Sequence, residues 1–140
     1  MEKAILTPCS ESKFPNVPAL KFFEAEGDLL YFGATHYLNG MEDGATLSVA
    51  DFMLKFDYQI EAICQTSEIS RDGLAVTDDT GGVYLDECLV IPFLMYAEEW
   101  FGVYVCHRME ELLQVGVTLN DDLTRFLYES RFGPGSTETP

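Results

Sequence analysis

The sequence predicts an α+β fold, a single domain in which an antiparallel sheet of about four strands packs against one main helix over residues 49–65, with two shorter C-terminal helices. Three observations carry this. Apolar residues recur at helical spacing from Val49 to Gln65, the period then changes to a strand-like alternation around a cluster of turn formers, and 140 residues that are 47% hydrophobic suffice to bury one core.

The leader, residues 1–21, mixes Pro8, Pro15 and Pro18 with polar residues and reads as irregular, passing into a short helical turn at Ala19 to Glu26 that Gly27-Asp28 breaks. Leu29 to Leu38 is aromatic and apolar, which predicts a strand or two short strands around Gly33, closed by the turn signal Asn39-Gly40. A charged, Gly-containing loop follows from Met41 to Thr46.

For the main helix, Ser48 is the expected N-cap, with Asp51 three residues on in place of the usual Glu or Gln of a capping box. Val49, Phe52, Met53, Phe56, Ile60, Ile63 and Cys64 form its core-facing stripe. Asp57, Glu61 and Glu68 fall on its flank at offsets of four and seven, a row roughly 16 Å long with no base at matching offsets.

Beyond Arg71-Asp72-Gly73, Leu74 to Thr77 and Val83 to Leu85 flank Asp78-Asp79-Thr80-Gly81-Gly82, which predicts a hairpin with an acidic tip. Cys88 to Tyr96 and Gly102 to His107 read as two further strands around Glu98-Glu99-Trp100, the first demoted to an edge or bulged strand by Pro92. Met109 to Val115 predicts a short helix ending at Gly116. Thr118 or Asn120 is placed to cap a last helix through Arg131, and residues 133–140 read as a disordered tail after a domain spanning 1–132.

Charge is the strongest departure from an ordinary domain. Residues 22–107 hold sixteen Asp and Glu against only Lys55 and Arg71, and so carry fourteen of the sixteen net negative charges. Turns, helix starts and solvated faces account for where the doublets Glu42-Asp43, Asp78-Asp79, Asp86-Glu87, Glu98-Glu99, Glu110-Glu111 and Asp121-Asp122 stand. They do not account for the missing base, since a small soluble domain usually mixes both signs to a net magnitude of roughly 2 to 8. Such self-repulsion is relieved by a cationic partner.

Several classes are set aside. The aromatic content excludes an acidic disordered chain. The start lacks a secretory signal pattern, and the longest uncharged apolar run, Cys88 to Ala97, falls well short of the roughly 18 residues of a membrane span, so a soluble, cytoplasmic protein is expected. Cys9, Cys64, Cys88 and Cys106 show no Cys-x-x-Cys pairing, which predicts reduced, mostly buried thiols and neither a metal site nor a cofactor. No phosphate loop, nucleophile elbow, His-Glu-x-x-His or dinucleotide fingerprint is present, and Cys106-His107 would point to opposite faces of a strand. Glu11-Ser12-Lys13 fits a metal-nuclease fragment, but only Glu2 precedes it as a second acid. An enzyme is not expected.

In size and charge distribution the chain resembles the small acidic anti-CRISPR and anti-restriction proteins by which phages and mobile elements block host nucleases through DNA mimicry. The resemblance implies occlusion of a basic, nucleic-acid-binding protein or nuclease complex, with no direct binding of nucleic acid, and it carries over no residue roles. Immunity proteins that neutralise cationic toxins look alike at this level, and a generic acidic interaction module is the third reading. The contact candidates are Asp57, Glu61, Asp78, Asp79, Asp86, Glu87, Glu98 and Glu99, with Trp100 as an apolar anchor. Cys88 to Tyr96, if an exposed sheet edge, would also allow a homodimer, although such short apolar runs are usually core.

Overall fold

Consecutive aromatics at Phe22 and Phe23 must be buried on opposite sides of the chain, and a strand does this where a helix does not. In the computed structural model, which describes residues 2–10, 14–41 and 46–116, this segment is a strand, β3 (Phe22–Ala25), rather than the expected helical turn. Phe22 packs against Phe14 and Phe32, with ring centroids 5.8 and 6.4 Å away, whereas Phe23 meets Tyr84 edge-on at 5.0 Å. The turn Glu26-Gly27-Asp28 joins β3 to β4 (Leu29–Gly33), setting Ala25 opposite Leu29. Gly27 and Asp28 take φ of +80° and +60°, a region open to glycine and tolerated by Asp.

The second hairpin is the one the turn formers predict. β5 (Ala75–Thr77) and β6 (Val83–Asp86) pair antiparallel, Ala75 opposite Leu85, across the Asp78–Gly82 connection. β6 also pairs with β4, and two short N-terminal strands, β1 (Glu2–Lys3) and β2 (Thr7–Pro8), complete the sheet in the order β1-β5-β6-β4-β3-β2. The fold is α+β, but the sheet has six strands, and it is mixed because β1 runs parallel to β5. The two N-terminal strands are invisible to pattern reading, since two residues each leave no period to detect.

That order forces the sheet to curl. β1 and β2 lie at its opposite edges, yet only Ala4 to Leu6 separate them. Four peptide units reach at most about 14 Å, while six flat strands would set the edges about 24 Å apart.

Gly33 ends β4 and Ala34 starts α1 (Ala34–Asn39), so the expected strand to Leu38 stops five residues early. Gly40 closes α1, its amide donating to the carbonyls of His36 and Tyr37. The expected main helix is two helices, α2 (Val49–Lys55) and α3 (Asp57–Ser67), broken at Phe56. Ser48 caps α2 as expected, its hydroxyl accepting from the Asp51 amide at 3.0 Å. The break lets the Phe56 ring approach both Phe52, at 5.3 Å, and Tyr96, at 6.2 Å. Glu68, at φ +56°, ends α3 in the left-handed conformation.

Cys88 to Tyr96 is not a strand. A 3-10 turn at Glu87–Leu89 leads into α4 (Val90–Ala97), and Pro92 sits in its first turn, where an amide has no helical acceptor in any case. α4 is the core of the described residues: Phe93 is fully buried and lies 5.1 Å from Phe32, 5.4 Å from Phe52 and 5.8 Å from Tyr37 by ring centroids. Burying each such side chain contributes about 1.5 to 3 kcal/mol. The expected strand at Gly102 to His107 and the short helix at Met109 to Val115 are both parts of one helix, α5 (Glu99–Val115), which ends, as expected, at Gly116 (φ +77°).

By internal packing the chain divides into two units, Met1–Glu99 and Trp100–Pro140. Sheet and core belong to the first. In the second, Trp100 and Phe101 stack edge-on at 5.8 Å and Arg108 pairs with Glu111 at 2.7 Å. The doublets Glu42-Asp43 and Asp121-Asp122, the Glu11-Ser12-Lys13 fragment, the expected last helix and the tail at 133–140 lie outside the described residues. Among the described residues, no single helix is long and apolar enough to cross a membrane.

Candidate functional site

Most carboxylates singled out in the sequence have a local task. Asp78 organises the β5–β6 turn: Oδ1 accepts from the amides of Thr80 and Gly82 and from the Thr80 hydroxyl, and Oδ2 accepts from Tyr84 at 2.8 Å. The hydroxyl bonds from Thr80 and Tyr84 do most to hold its carboxyl down at a pKa of about 2. Asp86 is buried at the end of β6 and caps the 3-10 turn by accepting from the Cys88 amide at 2.9 Å. Glu98, half-buried at the end of α4, accepts from the Tyr37 hydroxyl at 2.8 Å. Burial first, and then that bond, raise the Tyr37 pKa.

The acid row on α3 is not without a base. Arg71, ten residues beyond Glu61 and carried back by the chain, pairs Nη1 with Glu61 at 3.0 Å and Nη2 with Asp57. One guanidinium faces two carboxylates, so one negative charge remains there. Asp51 is likewise engaged, by the Tyr96 hydroxyl at 2.8 Å and by Lys55 at 3.1 Å, and its pKa is lowered, chiefly by the tyrosine bond.

Other carboxylates project into solvent without an ion pair. Glu24, Glu26, Asp28, Glu68, Asp72, Asp79 and Glu99 are exposed, and none of them has a basic partner among the described residues.

Strand register sorts them. Ala25 opposite Leu29 puts Glu26 and Asp28 at one end of the sheet, and Tyr31 opposite Asp86 brings the end of β6, and Glu87 after it, to the same end. Asp72 joins them there. The Tyr31 hydroxyl donates to the Gly73 carbonyl at 2.8 Å, and the Asp86 amide donates to the Leu74 carbonyl at 2.8 Å. Glu26, Asp28, Asp72 and Glu87, with the Arg71-bridged Asp57 and Glu61 beside them, thus gather at one sheet end from separate stretches of chain. Asp78 and Asp79 lie at the opposite end, beyond Thr77 and Val83. Trp100 is exposed, and Glu99 opens α5.

Sequence reading passed over Glu26, Asp28 and Asp72. The signal that could have found the first two was the pair of turn formers behind two aromatics; Asp72 becomes relevant only through the non-local Tyr31 bond.

Nothing in this arrangement resembles a metal centre: among the described residues no group of three or more His, Cys, Asp or Glu is placed to hold an ion. The four cysteines are free, Cys64 buried, Cys9 and Cys88 half-buried and Cys106 exposed. Compared with known proteins, the chain matches no protein family, no curated protein and no solved structure.

Proposed function

We propose that this chain is a non-enzymatic acidic inhibitor that occludes the basic site of a nucleic-acid-binding effector by polyanion mimicry, in the manner of phage anti-defence proteins, and that it acts in the cytoplasm. The single observation behind this reading is that Glu26, Asp28, Asp72 and Glu87 crowd one end of a packed sheet, with Lys55 and Arg71 already committed to Asp51 and to Asp57 and Glu61. Carboxylates on a packed scaffold attract Lys and Arg without carrying sequence information, as phosphates do. Such a surface repels nucleic acid itself.

The test is capture from a nuclease-treated bacterial lysate at low salt and at about 1 M salt, where the screening length falls to roughly 3 Å. The reading expects a basic nucleic-acid-binding protein that is retained at low salt and displaced by duplex DNA or RNA. A captured protein that holds this chain and its nucleic acid together, or no basic protein at either salt, sinks it.

A further inference from the structure

In so acidic a chain, two bases that share one cleft without an ion pair mark where an anion would be tolerated. Two groups of this kind, Lys21 and His36, line the same cleft of the first unit, which has a volume of about 670 Å3. Both are exposed, and neither takes part in an ion pair among the described residues. The backbone fixes their proximity. The Lys21 carbonyl accepts from the Gly33 amide at 3.0 Å, and His36 stands in the first turn of the helix that begins directly after Gly33. A Cβ placed on Gly33 would lie 3.6 Å from that of His36.

The remaining walls are of a different kind. Pro18 and Met41 supply apolar surface, while Tyr37 and Glu98 contribute the hydrogen-bonded phenol and carboxylate that link α1 to the end of α4. A cleft of this size, with convergent polar groups on part of its lining and apolar walls elsewhere, falls within the roughly 300 to 1,000 Å3 typical of small-molecule sites. A lysine ammonium beside an imidazole N–H donor suits a phosphate, and a phosphate monoester carries about −1.5 to −2 at neutral pH. The Glu98 carboxylate rejects a ligand that is anionic throughout and favours one whose other end carries hydroxyl donors.

We propose that this cleft is a binding site for a small hydroxylated phosphate monoester, up to the size of a mononucleotide, with the phosphate against Lys21 and His36 and its hydroxyls toward Glu98. The site does not depend on the acidic sheet end or on the inhibitor reading.

The full chain is titrated calorimetrically, and its melting temperature followed, with glycerol 3-phosphate, ribose 5-phosphate and AMP. Glycerol, ribose, adenosine and inorganic phosphate serve as counterparts. At least one ester binds and raises the melting temperature, and its uncharged counterpart does not. Lys21→Gln and His36→Gln each weaken that binding about tenfold or more, and leave the ligand-free melting temperature unchanged because both side chains are exposed. The proposal is overturned if none of the three esters binds, if binding survives both substitutions, or if inorganic phosphate alone binds as tightly as every ester.

Discussion

Tyr84 donates its phenolic hydrogen to Asp78 Oδ2 across 2.8 Å, from the strand that follows the turn back to the residue that opens it. The same carboxylate holds the Thr80 and Gly82 amides. The first acid of the doublet therefore closes the hairpin, and the second, Asp79, is exposed.

This makes hairpin stability dependent on acid pH. An unfolded Asp titrates near about 3.9, whereas Asp78 in the fold is lowered to about 2. Its contribution is therefore fully present above the unfolded value and is lost as pH falls through the folded one. Denaturation midpoints of the wild type should drop between about pH 4 and pH 2 more steeply than those of Asp78→Asn, which should already be less stable at neutral pH. Parallel curves for the two proteins across that window would falsify the assignment. Asp79→Asn serves as the neighbouring control and should leave both midpoint and slope unchanged.

Phe93 is where α1, α2, α4 and the sheet meet, through Tyr37, Phe52 and Phe32. Its truncation to Ala should cost about 3 to 5 kcal/mol, a large share of a typical domain's stability. Chemical denaturation reads this directly. A loss below about 1 kcal/mol would mean that the ring is not buried as described.

Cys106, Cys88 and Cys64 should react in an order set by exposure and by thiolate content. Burial, with Asp86 nearby, pushes Cys88 up to about 12, and burial also raises Cys64, whereas Cys106 is exposed. Alkylation of the native protein at about pH 8, followed by peptide mapping, should modify Cys106 first. Cys88, half-buried and with its thiol raised, should follow slowly, and Cys64 only in denaturant. Labelling of Cys88 ahead of Cys106 would contradict this order.

Charge reversal distinguishes the two sheet ends as the partner-binding surface. Glu26→Lys with Asp72→Lys should slow association with a captured basic partner at least tenfold at low salt, with the loss shrinking as salt rises. Asp79→Lys, at the other end, should do less. The double reversal changes exposed side chains that make no ion pair among the described residues, so the fold's stability should move by no more than about 0.5 kcal/mol. If Asp79→Lys is the more damaging change, the binding surface is the β5–β6 turn instead.

What the sequence disclosed and what it hid follow from the range of the interactions involved. The Ser48 cap and the Asp78–Gly82 hairpin are local, and both are legible in a few residues. The run from Cys88 to Tyr96 is apolar throughout, so it has no period to separate a buried strand from a buried helix, and Pro92 misleads because a first-turn proline leaves the same trace as an edge-strand proline. Val103, Tyr104 and Val105 favour strands intrinsically but lie within a long helix, so local propensity was overridden there. In the candidate site, the doublets drew attention because they are adjacent in sequence. The grouping that matters joins Glu26 and Asp28 to Asp72 and Glu87 through strand register, and the pairing of Arg71 with Asp57 and Glu61 depends on the chain turning back on itself. Neither can be inferred from spacing along one element.

The placement of β1 also constrains the time at which the sheet can form. Glu2 and Lys3 find their partners only at Val76 and Thr77, so during synthesis the first strand must remain unpaired until those residues have been made. Pairings between segments so far apart in sequence form slowly, because the intervening chain must be closed into a loop before any contact is gained. The β3–β4 hairpin has no such delay. The ribosome therefore releases an aromatic hairpin that already has β2 available beside β3 but still lacks β6 beside β4, and the acidic turn at its tip would help keep it from pairing with other nascent chains.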